Sequence, residues 1–559
     1  MTSPANTRLP ISDDVEAVLP AAISRAHDWL KSTADEEDKA TEQLADLLRD
    51  EDGVKFTMDF VDRVMRPEDD KVAAHALKDI SSHYDPSFLG SINGALVGAG
   101  GFFGPILPNL VMPVARLYMR KMVGHLVLDA ESDALNKILD KAAESGEQLN
   151  LNLLGEAVLG EEEAKSRAER TLKLIRNPRV TYVSVKASSM VAQLNHWDID
   201  GSVERLKERL RPLYQTAADR TDKVFINMDM EEYHDLHLTI RLFKELLSEP
   251  EFLTLDAGIV LQAYLPDTFD ALKDIADFAK ERVAKGGGKV KVRIVKGANL
   301  SMENVQSEVH DWPLATYTNK LDVDANYYRL LDFILREEYA DSVRIGVATH
   351  NLYTAAMAFE LGKKRGVLHM MDSEMLQGMS PAQQAAVRKV FDGRQILYTP
   401  VVHAEDFDVA VSYLVRRLEE NSAPQNFLYA LFAPGEEPLA DQEETFRRAV
   451  AKRWDTFAGA RRTQNRLEED GRQAPRTGRF TNEADTDPAL APNRQWAQEA
   501  LKRNPGEHGI AEVTDPAAVE GHIARAKELG TEWGKRPAAE RAAALEAVAD
   551  QIASQRGKF

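Results

Sequence analysis

Short apolar runs in this chain end repeatedly in side chains that can bind, orient or polarise a small molecule. In Thr181-Tyr182-Val183-Ser184-Val185-Lys186, strand alternation puts Ser184 and Lys186 on one face and Val183 and Val185 on the other. In the same way Asn227 and Asp229 lie opposite Ile226 and Met228, Gln262 shares a face with Tyr264, and Lys291 shares one with Arg293. Lys186, Asp229, Gln262 and Arg293 therefore fall at or near one end of four successive strands. Burying such groups together is costly unless each has a partner or a ligand. A self-satisfied ion-pair network would meet that demand, but four convergent polar residues favour a site for a ligand rich in hydrogen-bonding edges.

A second group lies further along. Tyr413, Arg416, Arg417 and Glu420 follow i, i+3, i+4, i+7 spacing and share one helix face, opposite the stripe Val411, Leu414, Val415 and Leu418. Adjacent arginines suit bidentate binding of a carboxylate or phosphate. The same face also suits an exposed helix with an ordinary Arg–Glu pair. Lys186 at a strand end is compatible with Schiff-base chemistry in a lyase, a reading that leaves Arg293 and Gln262 unexplained.

The elements that must position these residues alternate regularly. Strand signals at 149–153, 180–187, 224–230, 258–265, 290–297, 343–350, 368–375 and 396–402 are each followed by a helical run. Those runs cover 161–176, 201–215, 231–247, 268–285, 320–338, 352–364, 381–391 and 405–421. Eight such units predict an α/β fold, a (β/α)8 TIM-like barrel, with active groups at the C-terminal ends of the strands. A doubly wound open sheet also alternates strands and helices. The count of eight, and the lack of G-x-G-x-x-G after the first strand, favour the barrel. The Lys285-Gly286-Gly287-Gly288-Lys289 run lacks phosphate-loop spacing and reads as a turn. Residues 15–49 and 111–143 read as amphipathic helices ahead of the barrel.

Composition removes several functions. The 559 residues carry 70 Lys and Arg against 90 Asp and Glu, a net charge of −20, which argues against a nucleic-acid coat. With no cysteine, the chain has no disulfide, thiolate metal site, iron–sulfur cluster or thiol nucleophile, and no metal site is expected. Residues 1–20 have no apolar core of a secretory signal. Residues 86–115 are free of charge but hold six glycines and four prolines, and so read as packed or interfacial structure rather than a membrane span.

Five segments occur in one order: Lys186 in Val-Ser-Val-Lys, Gln262-Ala263-Tyr264, Arg293-Ile294-Val295-Lys296-Gly297-Ala298, Ala348-Thr349-His350-Asn351, and the run from Tyr413 to Asn421. Together they resemble the flavin-dependent proline dehydrogenase barrel, and in particular that of bifunctional bacterial proline utilization A proteins, over about residues 149–428. The resemblance implies FAD as cofactor, L-proline as substrate and a membrane quinone as acceptor. Arg293 would bond the isoalloxazine and Gln262 its pyrimidine edge, with Asp229, Val260 and Leu376 beside them. Val295, Lys296, Gly297, Ala298, Thr349, His350 and Asn351 would hold the rest, with Thr318 and Lys320 near the phosphates. Lys186, Arg416 and Arg417 would bind the proline carboxylate, oriented by Asp229, Glu420 and Glu156, and Tyr398 would press on the ring.

Two segments depart from the family. Its usual aromatic pair is Asn299-Leu300 here, and its usual Glu-Phe-Gln-x-Leu run reads Asp372-Ser373-Glu374-Met375-Leu376. Residues 482–559 resemble the opening helices of an aldehyde dehydrogenase domain, the part that oxidises glutamate semialdehyde in the bifunctional relatives, and they read as a truncated domain. The expected organisation is a helical arm and helical domain at 1–145, the barrel at 146–434, a linker at 435–481 and the truncated segment at 482–559. The expected setting is cytoplasmic, with a possible peripheral membrane contact and homo-oligomers of the longer protein. A membrane-docking or scaffold module built around 86–115 is the non-enzymatic alternative.

Overall fold

Parallel strands buried on both faces need near-continuous apolar sequence, and the runs read above have it. The computed structural model describes residues 13–33, 51–84, 101–468 and 482–557, apart from 68, 103, 124–125, 131, 156–157, 392–393, 404–409, 411–412, 415–416, 418–419, 422, 434 and 504–511. Among the described residues the strands are β1 (Leu128–Asp129), β2 (Gln148–Leu153), β3 (Tyr182–Lys186), β4 (Phe225–Asp229), β5 (Ala257–Gln262), β6 (Val290–Val295), β7 (Val343–Ala348), β8 (Met371–Leu376) and β9 (Gln395–Val402). Every pairing is parallel, and β9 pairs with both β2 and β8. Strands β2 to β9 therefore close into an eight-stranded barrel with helices outside, as the alternation predicts.

The structure also departs from the sequence reading. The two-residue β1 pairs Leu128 with Val401 and interrupts the expected helix 111–143, which resolves into Pro108–Val123 and Ser132–Glu144. The stretch between β6 and the helix Lys320–Ile334 contains a further helix, Leu300–His310. The expected helix 320–338 breaks before a short one at Glu337–Ala340, and β8 begins after a 3-10 turn at Leu368–Met370. The first described helix is Asp14–Thr33; the remainder of the expected 15–49 run, 34–49, lies outside the described residues, as does all of 86–100. No described helix is long and apolar enough to cross a membrane.

Contacts divide the chain into two compact units. The first comprises 1–194, 200–301 and 315–460, and the second 195–199, 302–314 and 461–559. Within the first, Asp14–Thr33 is tied to the barrel by Arg25–Glu360 at 2.5 Å, Asp14–Arg365 at 3.2 Å and Glu16–Arg453 at 2.7 Å. Residues of 51–84 and 108–123 form an apolar cluster that continues into Leu376, Met379, Val402, Tyr413 and Leu414, around the C-terminal ends of β8 and β9. In the second unit His310 stacks on Trp312, Asp485 accepts from His310 at 2.7 Å, and Arg462 meets Asp487 at 3.2 Å. Its last helices, Pro516–Lys535 and Ala538–Ser554, bury none of their residues.

Candidate active site

Inward alternation on β3, β4, β6 and β9 brings Ser184, Asp229, Arg293 and Tyr398 together. Asp229 Oδ1 accepts from Ser184 at 3.0 Å, from Asn227 at 2.9 Å and from Arg293 at 3.4 Å, while Oδ2 accepts from Tyr398 at 3.0 Å. Burial pushes the Asp229 carboxyl above its usual range, and the Arg293 charge opposes that shift. The Arg293 guanidinium lies 4.4 Å from the centre of the Tyr398 ring, within cation–π range. Asn152 on β2 hydrogen-bonds the same phenol.

Deeper in the barrel the charges satisfy one another. Lys291 Nζ lies 2.6 Å from Glu374 and 3.1 Å from Asp372, and Asp372 in turn meets Arg344 at 2.7 Å. Burial disfavours the Lys291 charge, but Glu374, Tyr182 and Asp372 together outweigh it and hold the ammonium above its ordinary value. For Lys291 the ion-pair reading is therefore the right one. Glu374 reaches both levels, since its other oxygen lies 3.0 Å from Arg293 Nε. Gly346 leaves the space: a Cβ there would meet Glu374 Oε1 at 2.1 Å.

Lys186 ends β3 and pairs with Glu231, just beyond β4. The carboxylate bonded to Lys186 is thus Glu231, while Asp229 bonds Ser184, Asn227, Tyr398 and Arg293 and feels the Lys186 charge without a direct bond. Ser188 fixes Glu231 at 3.1 Å. Gln262 donates to the Glu231 carbonyl at 2.9 Å, and Tyr264 donates to it at 3.3 Å. The Gln262 side-chain oxygen is buried without a hydrogen-bond partner. Val260 pairs in register with Arg293, and Gln262 with Val295.

Past β6 the chain turns through Lys296, Gly297 and Ala298, all half-buried. Gly297 has φ 141°, and a Cβ there would strike the Tyr264 ring at 2.4 Å, so the turn demands glycine. Lys296 and Lys320 flank one buried carboxylate, each 2.5 Å from an oxygen of Asp324. Burial, with Lys320 nearby, lowers the Lys296 ammonium to about 8, against the pull of Asp324. Thr318 is exposed.

After β7, Thr349 N–H donates to the Glu374 carbonyl at 3.1 Å. His350 Nε2 accepts from Leu376 N–H at 2.9 Å, which leaves Nδ1 as its donor. Burial and then the Arg417 charge lower His350 to about 4, so the ring is neutral near pH 7. Asn351 spends its amide oxygen capping Leu352–Lys364, accepting from Thr354 N–H at 3.2 Å. Arg417 donates to Glu420 at 2.6 Å and lies 5.2 Å from the Tyr413 ring centre. Arg416 and Glu156 lie outside the described residues, as does most of the 405–421 run.

Sequence reasoning missed Glu231, Glu374 and Asp324. Only Asp324 carried a usable signal, the i, i+4 spacing from Lys320.

A closed parallel barrel with a cationic, tyrosine-lined mouth defines the chain as a (β/α)8-barrel protein with a built polar site. A family model described as Proline dehydrogenase matches residues 134–430, more than half of the sequence, and the chain belongs to that family. Among solved structures it is similar to Proline Utilization A from Corynebacterium freiburgense, with 55% identity over 73% of this chain and 39% of that one, at a TM-score of 0.64. It shares its fold with the protein from Bdellovibrio bacteriovorus inactivated by N-propargylglycine, at 23% identity over 97% and 57% of the two chains and a TM-score of 0.76. The Bradyrhizobium japonicum protein aligns at 20% identity over 100% and 59%, with a TM-score of 0.66. The chain thus spans between 39% and 59% of the length of these relatives. No curated protein matches it.

Proposed function

We propose that this chain oxidises L-proline to Δ1-pyrroline-5-carboxylate with bound FAD, and that the electrons pass on to a membrane quinone. The observation that carries the reading is the meeting of Asp229, Arg293 and Tyr398 at the strand ends, with Lys186 ending the adjacent β3.

The residues fit FAD. The orphaned, buried Gln262 oxygen can accept from an N–H on the edge of a flat heterocycle. Gly297 keeps a side chain off Tyr264, and Lys296 and Lys320 supply two cations for phosphates. Arg293, Val260, Val295, Ala298, Thr349, His350 and Leu376 complete the set, with Thr318 and Asn351 at its margin. FAD, when bound, supplies the two-electron acceptor for the hydride leaving proline C5, at its N5.

The protein's part is binding and orientation. Lys186 and Arg417, with Arg416, clamp the proline carboxylate, while Glu231 and Glu420 hold two of those cations in place. Tyr398, braced by Asp229 and Asn152, limits where the proline ring can sit. Such fixation turns an encounter into an oriented pair, which is the main contribution a protein makes to a hydride transfer.

In this reading residues 1–145 are arm and helical domain, 146–434 the catalytic barrel, 435–481 a linker, and 482–559 the opening helices of an aldehyde dehydrogenase domain. The glutamate semialdehyde activity of that domain requires a cysteine nucleophile, and this sequence has none. We place the protein in the cytoplasm, meeting quinone at the membrane surface, as part of a homo-oligomer. The deciding experiment is the visible spectrum of the purified protein: a flavin spectrum bleached anaerobically by L-proline is expected. A colourless protein that takes up no added FAD overturns the proposal.

A further inference from the structure

Among the described residues Arg293 has two anionic neighbours of unequal commitment. Asp229 Oδ1 lies 3.4 Å away and also receives Ser184 and Asn227, while its second oxygen receives Tyr398. Glu374 lies 3.0 Å from Arg293 Nε and is 1% exposed. Burial also pushes the Asp229 carboxyl up, which weakens it further as a counter-charge. Lys291, the other cation touching Glu374, has a second carboxylate in Asp372 at 3.1 Å. Arg293 thus depends on Glu374 for neutralisation more than Lys291 does. The cavity is shaped for this carboxylate, because any side chain at position 346 would collide with it.

A unit charge in a dry interior is screened far less than one at the surface. A redox group that gains negative charge on reduction is held oxidised by a nearby anion and drawn toward reduction by a nearby cation. We propose that Glu374, by cancelling the charge of Arg293, sets the reduction potential of the redox group bound at this barrel mouth. The inference rests on the FAD reading above. Glu374 is a positioning residue in this role, acting through Arg293.

The test is the midpoint potential of the flavin-loaded full chain, read spectroelectrochemically. Glu374→Gln keeps shape and removes the charge, and should favour the reduced form about tenfold, an upward shift of ~30 mV for a two-electron couple. Lys291→Met removes a cation from the same cluster and should shift the potential downward. Shifts of opposite sign support the proposal. An unchanged potential in Glu374→Gln, or shifts of the same sign in both variants, overturn it, since a purely structural role would lower the stability of each without opposing electrochemical effects. If Glu374→Gln does not fold, the Lys291→Met result decides: a downward shift supports the proposal and no shift overturns it. A wild-type chain that binds no flavin overturns the underlying reading. A wild-type chain that bleaches with proline beside a Glu374→Gln variant of unchanged potential overturns this proposal alone.

Discussion

The phenol of Tyr398 donates to Asp229 Oδ2 at 3.0 Å, so a residue from β9 is pinned across the barrel to one from β4. Burial and the neighbouring Asp229 charge raise the phenol well above its ordinary range, which keeps it protonated as a donor. Tyr398→Phe preserves the ring beside Arg293 and deletes this bond. The expected result is a stability loss of about 1.5–3 kcal/mol, typical for a hydrogen bond to a charged group. Flavin content should persist while proline turnover falls, because the ring is left without its brace. Thermal unfolding and steady-state kinetics check both. Full turnover with unchanged stability would remove Tyr398 from the site.

Arg417 is held by Glu420 at 2.6 Å, and its charge also helps keep His350 neutral. Arg417→Met should raise the KM for proline about 10- to 100-fold, equivalent to ~1.4–2.8 kcal/mol of lost carboxylate binding. Flavin retention should change little. In the same variant His350 should titrate closer to its ordinary value, a shift that NMR of the ring can follow. Equal losses of proline and flavin binding would contradict the carboxylate role.

Lys296 gives the site a pH dependence whose sign follows from its depressed value of about 8. Below that pH the ammonium is charged and can hold an anion; as pH rises through it, the charge and the anion affinity fall. Stability moves the other way. Between about 8 and the ordinary lysine value the unfolded chain keeps a proton that the folded chain has released, so folding gains as pH rises across that window. FAD affinity, measured by titrating the apoprotein, should therefore weaken above pH 8, and Lys296→Met should flatten the profile. An unaltered profile in the variant assigns the titration elsewhere.

What the sequence disclosed, and what it hid, follows from the range of each signal. Period-two alternation is local, so the inward placement of Asp229, Arg293 and Ser184 was legible, and the eight strands with it. Glu231 lies beyond β4, where alternation no longer assigns a face, and its pairing with Lys186 depends on how two loops fold back. Glu374 was missed because its partners Lys291 and Arg293 are 83 and 81 positions away, and only closure of the barrel brings them together. The strand β1 is too short to show any period. Asp324 looked like an ordinary helix acid until Lys296, from another element, completed the triad.

Asp332 offers a test of how the N-terminal helix is fastened. This carboxylate is 1% exposed and accepts from Arg365 at 2.7 Å, from Arg453 at 2.9 Å and from Trp454 at 2.8 Å. The same two arginines reach Asp14 and Glu16 on the helix Asp14–Thr33. Asp332→Ala leaves the two guanidinium groups, beside the backbone carbonyls of Asp332, Leu335 and Val450, facing Asp14 and Glu16, which come from the helix end and are partly exposed. Removing one member of a buried ion pair costs about 3–5 kcal/mol, so the urea midpoint should fall accordingly. Trp454 loses its acceptor, and its fluorescence should report the change locally. Limited proteolysis should cut the released helix sooner than in the unaltered chain. A loss below about 1 kcal/mol, within the range of exposed pairs, would mean that Asp14 and Glu16 hold the arginines on their own.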